Sequence, residues 1–282
     1  MTSPVPTILE RRVLASGFDH SEAVCWDPRR RCLWAGGEAG QVYRIGLDGS
    51  VSVDATIERG TILGVAVDGD GRVYACDIAN HQVWRFHPGS DPAPHGDPID
   101  YPNDLVFAPD GRLFVSDSGD FETPTGSVFV IDPDGTTSRL ATRPIAYTNG
   151  LALRDGTLFV VESSTPCVST VPLGGGELTE LVRLERCVPD GMALDDAGGL
   201  FICCYQPNQL WHWSTASGLD LVFEDWTGEY ILSPTNIAFF GDALGDLALA
   251  SLCGHDLVAI TPPARGVALA YPVLDPLEGE AR

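Results

Sequence analysis

The sequence predicts an all-β fold, a six-bladed β-propeller with four antiparallel strands in each blade. Short apolar or alternating runs rich in Val, Leu, Phe and Trp recur between Asp-Gly, Pro and Gly turns, with almost no helical periodicity. One unit returns six times, beginning at residues 22, 63, 103, 149, 190 and 235, so that successive starts lie 41, 40, 46, 41 and 45 residues apart. A repeat of this length, with room for four strands, is typical of a propeller blade.

The strands follow the repeats in order. The first strand of each blade begins at one start residue, namely Glu22, Leu63, Asn103, Asn149, Asp190 or Thr235. Second strands are predicted at Leu33–Ala35, Val73–Cys76, Leu113–Ser116, Leu158–Val161, Leu200–Cys203 and Leu247–Ala250. Third strands are predicted at Val42–Ile45, Val83–Phe86, Val128–Ile131, Leu210–Trp213 and Leu257–Ile260, and weaker fourth strands at Thr136–Ala141 and Leu178–Leu184.

Closure of the ring requires one more outer strand for the last blade. The N-terminal segment Ile8–Leu14 is the favoured candidate, and Val267–Tyr271 competes with it. A closed ring leaves no long sheet edge exposed to aggregation. We therefore expect residues 1–282 to form a single propeller domain.

Composition excludes several function classes. Seventeen basic residues against 39 acidic ones give a net charge of −22, which predicts neither a nucleic-acid partner nor a membrane partner. The sequence has no lysine, which excludes Schiff-base, pyridoxal-phosphate and P-loop chemistry. The hydrophobic fraction of 44% predicts an ample core, and no apolar run approaches the roughly 18 residues of a membrane span.

The cysteines and the N-terminus indicate the compartment. Residues 1–10 lack the basic and apolar regions of a secretory signal. The eight cysteines have no C-x-x-C or zinc-like spacing and mostly occupy strand-like runs, at Cys25, Cys32, Cys76, Cys203, Cys204 and Cys253. We interpret them as reduced, buried thiols of a cytoplasmic protein.

The six start residues are the candidate site. In a propeller the first strand lines the central channel, so these residues should converge near one mouth of it. Four of the six are Glu, Asn or Asp. Asn149-Gly150 and Asp190-Gly191 are also ordinary turn dipeptides, but Glu22 and Asn103 lack that context. Converging carboxylate and amide oxygens favour a divalent cation, Ca²⁺, Mg²⁺ or Mn²⁺, with Zn²⁺ as a further candidate.

The same residues resemble a known family. Glu22-x-x-x-Trp26, Pro102-Asn103-Asp104, Thr148-Asn149-Gly150 and the run from Pro189 to Asp195 are similar to the senescence marker protein 30, gluconolactonase and luciferin-regenerating-enzyme family. The resemblance covers about residues 16 to 275. It implies a six-bladed propeller that hydrolyses lactones, with one divalent cation at Glu22, Asn149 and Asp190. It also implies that Asp190 is the catalytic base and that Asn103 contacts the substrate or a water.

One departure from the family pattern concerns the substrate. Tyr101-Pro102 precedes Asn103, where animal sugar lactonases carry an Arg two residues before the Asn. Without that guanidinium, a polyhydroxylated or anionic substrate loses a bidentate partner. We therefore expect a less hydroxylated, more apolar ring ester than gluconolactone.

Aromatic residues should surround the mouth, which suits a ring-shaped ligand. They come from loops on the same face: Phe18, His20, Tyr101, Tyr147, Tyr205, Trp226, Tyr230 and His255. The alternative is that individual rings only pack between blades. The connection Asp117–Gly126 is the longest of its kind and, with Phe121 and Glu122, is interpreted as a flap over the channel. The predicted substrate-binding residues are Asn103, Tyr101, Phe121, Tyr147 and Tyr205.

The predicted function is metal-dependent hydrolysis of a lactone or related cyclic ester, with a small molecule as the partner. Asp190 and Asn103 are the candidate catalytic residues, and Glu22, Asn149 and Asp190 the candidate metal ligands. Two alternatives share this fold: a non-hydrolytic enzyme such as a strictosidine-synthase-like condensing enzyme, and a non-enzymatic calcium-binding propeller. The sequence gives no indication of an oligomeric state.

Overall fold

The computed structural model describes residues 10–274. Within them, the strands form six four-stranded antiparallel sheets arranged in a ring, so the predicted all-β, six-bladed propeller is confirmed. The innermost strands of neighbouring blades contact one another around the whole ring, including the contact between the last blade and the first. The prediction of a single domain over residues 1–282 extends at both ends beyond the described residues.

The blades follow one another along the chain. Blade one contains β2 (Cys25–Asp27), β3 (Cys32–Gly36), β4 (Gln41–Gly46) and β5 (Val51–Thr56). Blade two contains β6 (Ile62–Val67), β7 (Val73–Asp77), β8 (Gln82–Phe86) and β9 (Ala93–Pro94). Blade three contains β10 (Pro102–Phe107), β11 (Leu113–Asp117), β12 (Ser127–Ile131) and β13 (Thr137–Arg139).

The second half repeats the same order. Blade four contains β14 (Thr148–Arg154), β15 (Thr157–Glu162), β16 (Cys167–Pro172) and β17 (Thr179–Arg183). Blade five contains β18 (Val188–Leu194), β19 (Leu200–Gln206), β20 (Gln209–Ser214) and β21 (Gly218–Glu224). Blade six contains β22 (Pro234–Phe240), β23 (Asp246–Ser251), β24 (Asp256–Ile260) and, as its outer strand, β1 (Arg11–Ser16).

The N-terminal strand closes the ring, as the sequence predicts. β1 pairs antiparallel with β24, with Arg11 opposite Ile260. The observed strand begins later than the predicted Ile8–Leu14, whose first two residues lie outside the described part of the chain. The competing candidate Val267–Tyr271 is wrong, because that segment forms no strand.

Residues 261–274, the C-terminal strap, cross the face of the ring that carries the turns between first and second strands. The Gly69 N–H donates to the Pro272 carbonyl at 2.8 Å, and the Tyr271 hydroxyl donates to the Trp26 carbonyl at 3.0 Å. An isolated bridge joins Gly266 to Asp195. The strap lines a narrow, mostly apolar cavity of about 90 Å³ in the channel. The predicted site residues stand at the beginnings of the first strands and therefore lie towards the opposite face.

The core is divided among the blade interfaces. Six apolar clusters lie one between each pair of neighbouring blades. Trp34, Phe114 and Phe201 are among the largest side chains that these clusters bury completely. Burying such a side chain contributes about 1.5 to 3 kcal/mol, so the packing of blade against blade holds the inner strands in fixed positions.

The remaining sequence predictions concern the cysteines, a membrane span and the cellular compartment. All eight cysteines are free, and seven are buried as predicted, but Cys253 is exposed because it lies in the connection between β23 and β24. Between residues 10 and 274 no helix is long and apolar enough to cross a membrane. The cytoplasmic location stays a prediction.

Candidate functional site

A repeated β-bulge presents the site residues. In blade three Pro102 pairs with Asp117 and Leu105 with Val115, so two residues of β10 face one residue of β11. The same irregularity occurs in blades two, four, five and six. Bulges bend a strand and redirect its side chains, and they are common beside active sites. The residues predicted from the repeat starts of these blades occupy the first unpaired position of each bulge: Leu63, Asn103, Asn149, Asp190 and Thr235.

Blade one presents Glu22 without a bulge of this kind. Its strand β2 starts only at Cys25, and Ser21 pairs instead with Ser251 of blade six. The Thr235 hydroxyl donates to the Glu22 carbonyl at 3.0 Å. Blade six therefore fixes the backbone that carries Glu22.

Glu22 and Asp190 lie close enough to interact electrostatically, although they come from blades one and five. Burial raises the pKa of Glu22 from 4.5 to about 7. Burial, then the nearby carboxylates of Glu22 and Asp104, raises the pKa of Asp190 well above its usual range. Removing a carboxylate from water disfavours its charged form, and a second carboxylate nearby adds to that cost. Two such groups side by side are stabilised in the charged form by a cation.

Asn149 completes the set of oxygen donors. Its side chain makes a hydrogen bond with Asp190, which lowers the Asp190 pKa but does not offset the effect of burial. Its Nδ2 donates to the Ser163 hydroxyl at 3.2 Å, and Ser163 donates to the Pro189 carbonyl at 2.7 Å. Ser163 thus links the Asn149 amide to the residue before Asp190. With the amide nitrogen engaged, the Asn149 oxygen is the atom available to a cation.

Asn103 occupies the equivalent bulge position of blade three, and its side chain is half-buried. Asp104, the next residue, was not predicted from the sequence. Its carboxylate accepts hydrogen bonds from the Leu151 N–H at 2.8 Å and from Asn236 at 3.4 Å, and burial raises its pKa to about 6. These contacts join blade three to blades four and six across the channel.

The sequence does contain a signal for Asp104 and Asn236. They occupy the second position of the repeat, where blades two, four and five carry glycine. That position is crowded: a Cβ on Gly150 would lie 2.5 Å from the Asp190 carbonyl oxygen. Polar side chains at such a position indicate that they extend into the channel.

The four aromatic side chains predicted to bind the substrate, Tyr101, Phe121, Tyr147 and Tyr205, come together near the two carboxylates. Burial, followed by the charges of Asp190 and Glu22, raises the pKa of Tyr147, and the hydroxyl of Tyr101 adds to the shift. Burial and Asp190 are the largest causes that raise the pKa of Tyr205 to about 12. Phe121, on the long connection between β11 and β12, packs edge-on against Tyr147 with ring centroids 5.0 Å apart. Tyr101 and Phe121 remain partly exposed.

Tyr147 has a left-handed backbone conformation, with φ of 57°. This conformation is costly for a bulky residue and persists only where the surroundings hold it. The Tyr147 N–H donates to the Ile145 carbonyl at 3.1 Å, and its carbonyl accepts from the Ser163 N–H at 3.0 Å. The ring is therefore held in a fixed position where blade four begins.

Not every predicted mouth residue lies there. Phe18 is buried in the apolar cluster between blades one and six, edge-on to Tyr43, so its assignment to the mouth is wrong. His20 lies near Glu22 and pairs with Glu38 at 2.5 Å. His255 stacks on His20 with centroids 6.4 Å apart.

The residues present suit a hard cation. In residues 10–274, no group of three or more His, Cys, Asp and Glu side chains could hold a metal ion. The predicted set has only two such side chains, and its third member is an amide. Two half-buried carboxylates and one amide oxygen are ligands of the type that Ca²⁺, Mg²⁺ and Mn²⁺ prefer, rather than those of a soft metal. The types of donor atom therefore suit the predicted cofactor, whose binding stays a proposal.

A comparison with known proteins identifies the family of this chain. A sequence model described as the SMP-30/gluconolactonase/LRE-like region matches residues 21–252. The chain belongs to this family. The resemblance expected from the sequence motifs is thus confirmed, and the match spans every residue predicted for the site. No curated protein matches the sequence significantly.

Solved structures of family members share the fold. A gluconolactonase from Xanthomonas campestris is 21% identical, with 91% of each chain covered and a TM-score of 0.76. A calcium-binding protein from Agrobacterium tumefaciens, regucalcin, is 17% identical, covering 95% of this chain and 98% of that chain, with a TM-score of 0.78. A luciferin-regenerating enzyme is 17% identical, covering 92% and 97%, with a TM-score of 0.75. At these identities the similarity shows the fold alone.

Proposed function

We propose that this member of the SMP-30/gluconolactonase/LRE-like family is a divalent-metal-dependent hydrolase that opens a lactone or related cyclic ester. The observation that carries the proposal is the pair of half-buried, interacting carboxylates Glu22 and Asp190, beside an amide that Ser163 orients. Such a pair is unfavourable in a protein interior unless a positive charge accompanies it. Membership of a family that includes gluconolactonases supports the same reaction class.

The candidate ligands are Glu22, Asn149 and Asp190. A divalent cation held by them supplies a Lewis acid that polarises an ester carbonyl and acidifies water. Ca²⁺, Mg²⁺, Mn²⁺ and Zn²⁺ are the candidate ions. The description of the Agrobacterium regucalcin as a calcium-binding protein favours Ca²⁺ among them.

In the proposed reaction, Asp190 accepts the proton of the water that adds to the ester carbonyl carbon. The bond between that carbon and the ring oxygen then breaks, and the ring oxygen takes the proton from Asp190, giving a hydroxy acid. Asn103, at the bulge position of blade three, orients the water and the substrate. The link from Asn149 through Ser163 to Pro189 keeps the backbone beside Asp190 fixed.

The aromatic side chains define the substrate class. The proposal is supported by Tyr147 and Tyr205, which lie near the carboxylates, by Tyr101 near Tyr147, and by Phe121, which packs against Tyr147. A buried hydroxyl without a partner costs about 1 to 3 kcal/mol, so a heavily hydroxylated sugar lactone gains little there. We propose a less hydroxylated, ring-containing ester as the preferred small-molecule substrate.

A lactone panel tests this function. Protein freed of metal with a chelator is assayed on gluconolactone and on alkyl-substituted and aryl-fused lactones, with and without added divalent cation. We expect hydrolysis only with the cation, and faster turnover of the apolar lactones. Asp190→Asn should abolish turnover, whereas Asp91→Asn, an exposed carboxylate outside the site, should leave it unchanged. Cation-independent hydrolysis, or gluconolactone as the best substrate, would contradict the proposal.

A second candidate function is calcium binding without catalysis, which the description of the regucalcin neighbour favours. It uses the same three ligands. It predicts stoichiometric calcium binding with no turnover of any lactone on the panel, so the same experiment separates the two functions.

A further inference from the structure

Two cysteine thiols lie in contact beside the candidate base. The Cys204 thiol donates to the Cys187 sulfur at 3.2 Å, and the Cys187 thiol donates to the Leu184 carbonyl at 3.5 Å. Both side chains are buried and neither is in a disulfide. Nothing in the proposed reaction uses this pair.

The two residues flank Asp190 on neighbouring strands. Cys187 directly precedes β18, and Cys204 on β19 pairs in register with Pro189. Cys203 donates to the Gly191 carbonyl at 3.2 Å, so β19 holds the backbone on both sides of Asp190. A disulfide requires sulfur atoms about 2.05 Å apart, so Cys187 and Cys204 need to approach by only about 1 Å.

Cys187 is the more accessible of the two. It ends the short connection between β17 and β18, in which Glu185 and Arg186 are exposed and Arg186 has a left-handed φ of 66°. The hydrogen bond from Cys204 lowers the pKa of Cys187, whereas burial raises the pKa of Cys204 well above its usual range. Cys187 therefore suits the role of attacking thiol, and Cys204 that of resolving thiol.

We propose that Cys187 and Cys204 form a reversible disulfide on reaction with a small peroxide. The Cys187 thiolate attacks one oxygen of hydrogen peroxide, the O–O bond breaks, and the leaving hydroxide takes up a proton as water, giving a sulfenic acid. The Cys204 sulfur then attacks the Cys187 sulfur, the S–O bond breaks, and a second water leaves. Two thiols and one peroxide thus give one disulfide and two waters, and a thiol reductant reverses the change.

The disulfide ties the segment that enters β18 to β19, and so restrains the backbone of Asp190. Residues 188–192 contain both Asp190 and the bulge that presents it. Their amide hydrogens are expected to exchange more slowly in the oxidised protein than in the reduced protein. This readout and the cross-link itself do not depend on the proposed hydrolysis.

The experiment maps the cross-link in the full-length chain. A Cys253→Ser background removes the exposed thiol and with it disulfides between molecules. After treatment with hydrogen peroxide, the protein is denatured and alkylated, and the intact mass is expected to show two fewer labels. No Arg or Lys lies between residues 187 and 204, so trypsin leaves both on one peptide. An aspartate-specific protease, cutting at Asp190 and Asp195, separates them.

Single variants identify the partners. After peroxide, Cys187→Ser should be labelled at every remaining cysteine. Cys204→Ser should lose one label and gain one oxygen atom, because the Cys187 sulfenic acid has no partner to resolve it. Cys203→Ser, which removes the neighbouring buried thiol, should still form the cross-link. If Cys204→Ser does not fold, the peptide map of the background protein together with Cys203→Ser decides. Full labelling after peroxide, or a cross-link to Cys203, would overturn the proposal. Unchanged amide exchange in residues 188–192 would overturn the coupling to Asp190.

Discussion

Replacing Glu22 by glutamine should stabilise the metal-free protein at alkaline pH. Burial raises the pKa of Glu22 from 4.5 to about 7, so between these pH values the folded protein holds a proton that the unfolded chain has already lost. Below pH 4.5 Glu22 is protonated in both states, and the free-energy cost of a charged Glu22 in the folded protein is absent. Between pH 4.5 and about 7 stability falls as pH rises, and above pH 7 the full cost remains. At about 1.4 kcal/mol for each pH unit between the two pKa values, that cost is about 3 kcal/mol.

Glutamine keeps the shape of the side chain and removes its charge. In urea unfolding with a chelator present, Glu22→Gln should therefore exceed the wild type in stability by about 3 kcal/mol at pH 8, and by much less at pH 5. Glu177→Gln, at an exposed position, is the matched control and should change little at either pH. Added Ca²⁺ should stabilise the wild type at pH 8 but not Glu22→Gln. If Glu22→Gln is no more stable than the wild type at pH 8, the charged Glu22 side chain does not destabilise the metal-free fold.

Three further substitutions separate the roles of neighbouring residues. Ser163→Ala should weaken cation affinity about 10-fold, because it releases the Asn149 amide. Ser163→Thr keeps a hydroxyl and should retain part of the affinity. Calorimetric titration measures both. Asn103→Ala should lower kcat with little change in cation affinity, and unchanged turnover in steady-state kinetics would argue against its role. Gly150→Ala should destabilise the protein by about 1 to 3 kcal/mol, because the new Cβ would lie 2.5 Å from the Asp190 carbonyl oxygen. Gly174→Ala, with open space around it, is the control for thermal unfolding.

The ring of blades could be predicted because each blade is a local pattern repeated in the sequence. Turn dipeptides and alternating runs indicate where strands begin and end, and most second and third strands agree with the structure to within a few residues. Four strands were missed, namely the outer strands β5, β9 and β21 and the third strand β16. In blade four, β16 (Cys167–Pro172) contains Ser and Thr among its apolar residues, and in blade two, β9 (Ala93–Pro94) is too short to give a pattern.

The candidate site could be predicted only in part. The first position of each repeat indicated Glu22, Asn103, Asn149 and Asp190, because the fold brings equivalent positions towards one axis. The family resemblance then implied Glu22, Asn149 and Asp190 as the metal ligands. Hydrogen bonds between side chains and residues of other blades could not be predicted from the repeat. Ser163 reaches Pro189 in the next blade, and Asp104 reaches Leu151, through hydrogen bonds between residues far apart in the sequence. The strap of residues 261–274 forms no strand and so has no alternating pattern of apolar and polar residues. Its path was therefore not predicted.

The most direct test of the proposed metal site is a calorimetric titration of chelator-treated protein with Ca²⁺ and Mg²⁺ at pH 8. We expect the wild type to bind one ion per chain. Binding should be lost in both Glu22→Gln and Asp190→Asn and retained in the control Asp91→Asn. A stoichiometric ion bound equally well by wild type, Glu22→Gln and Asp190→Asn would contradict the proposed site.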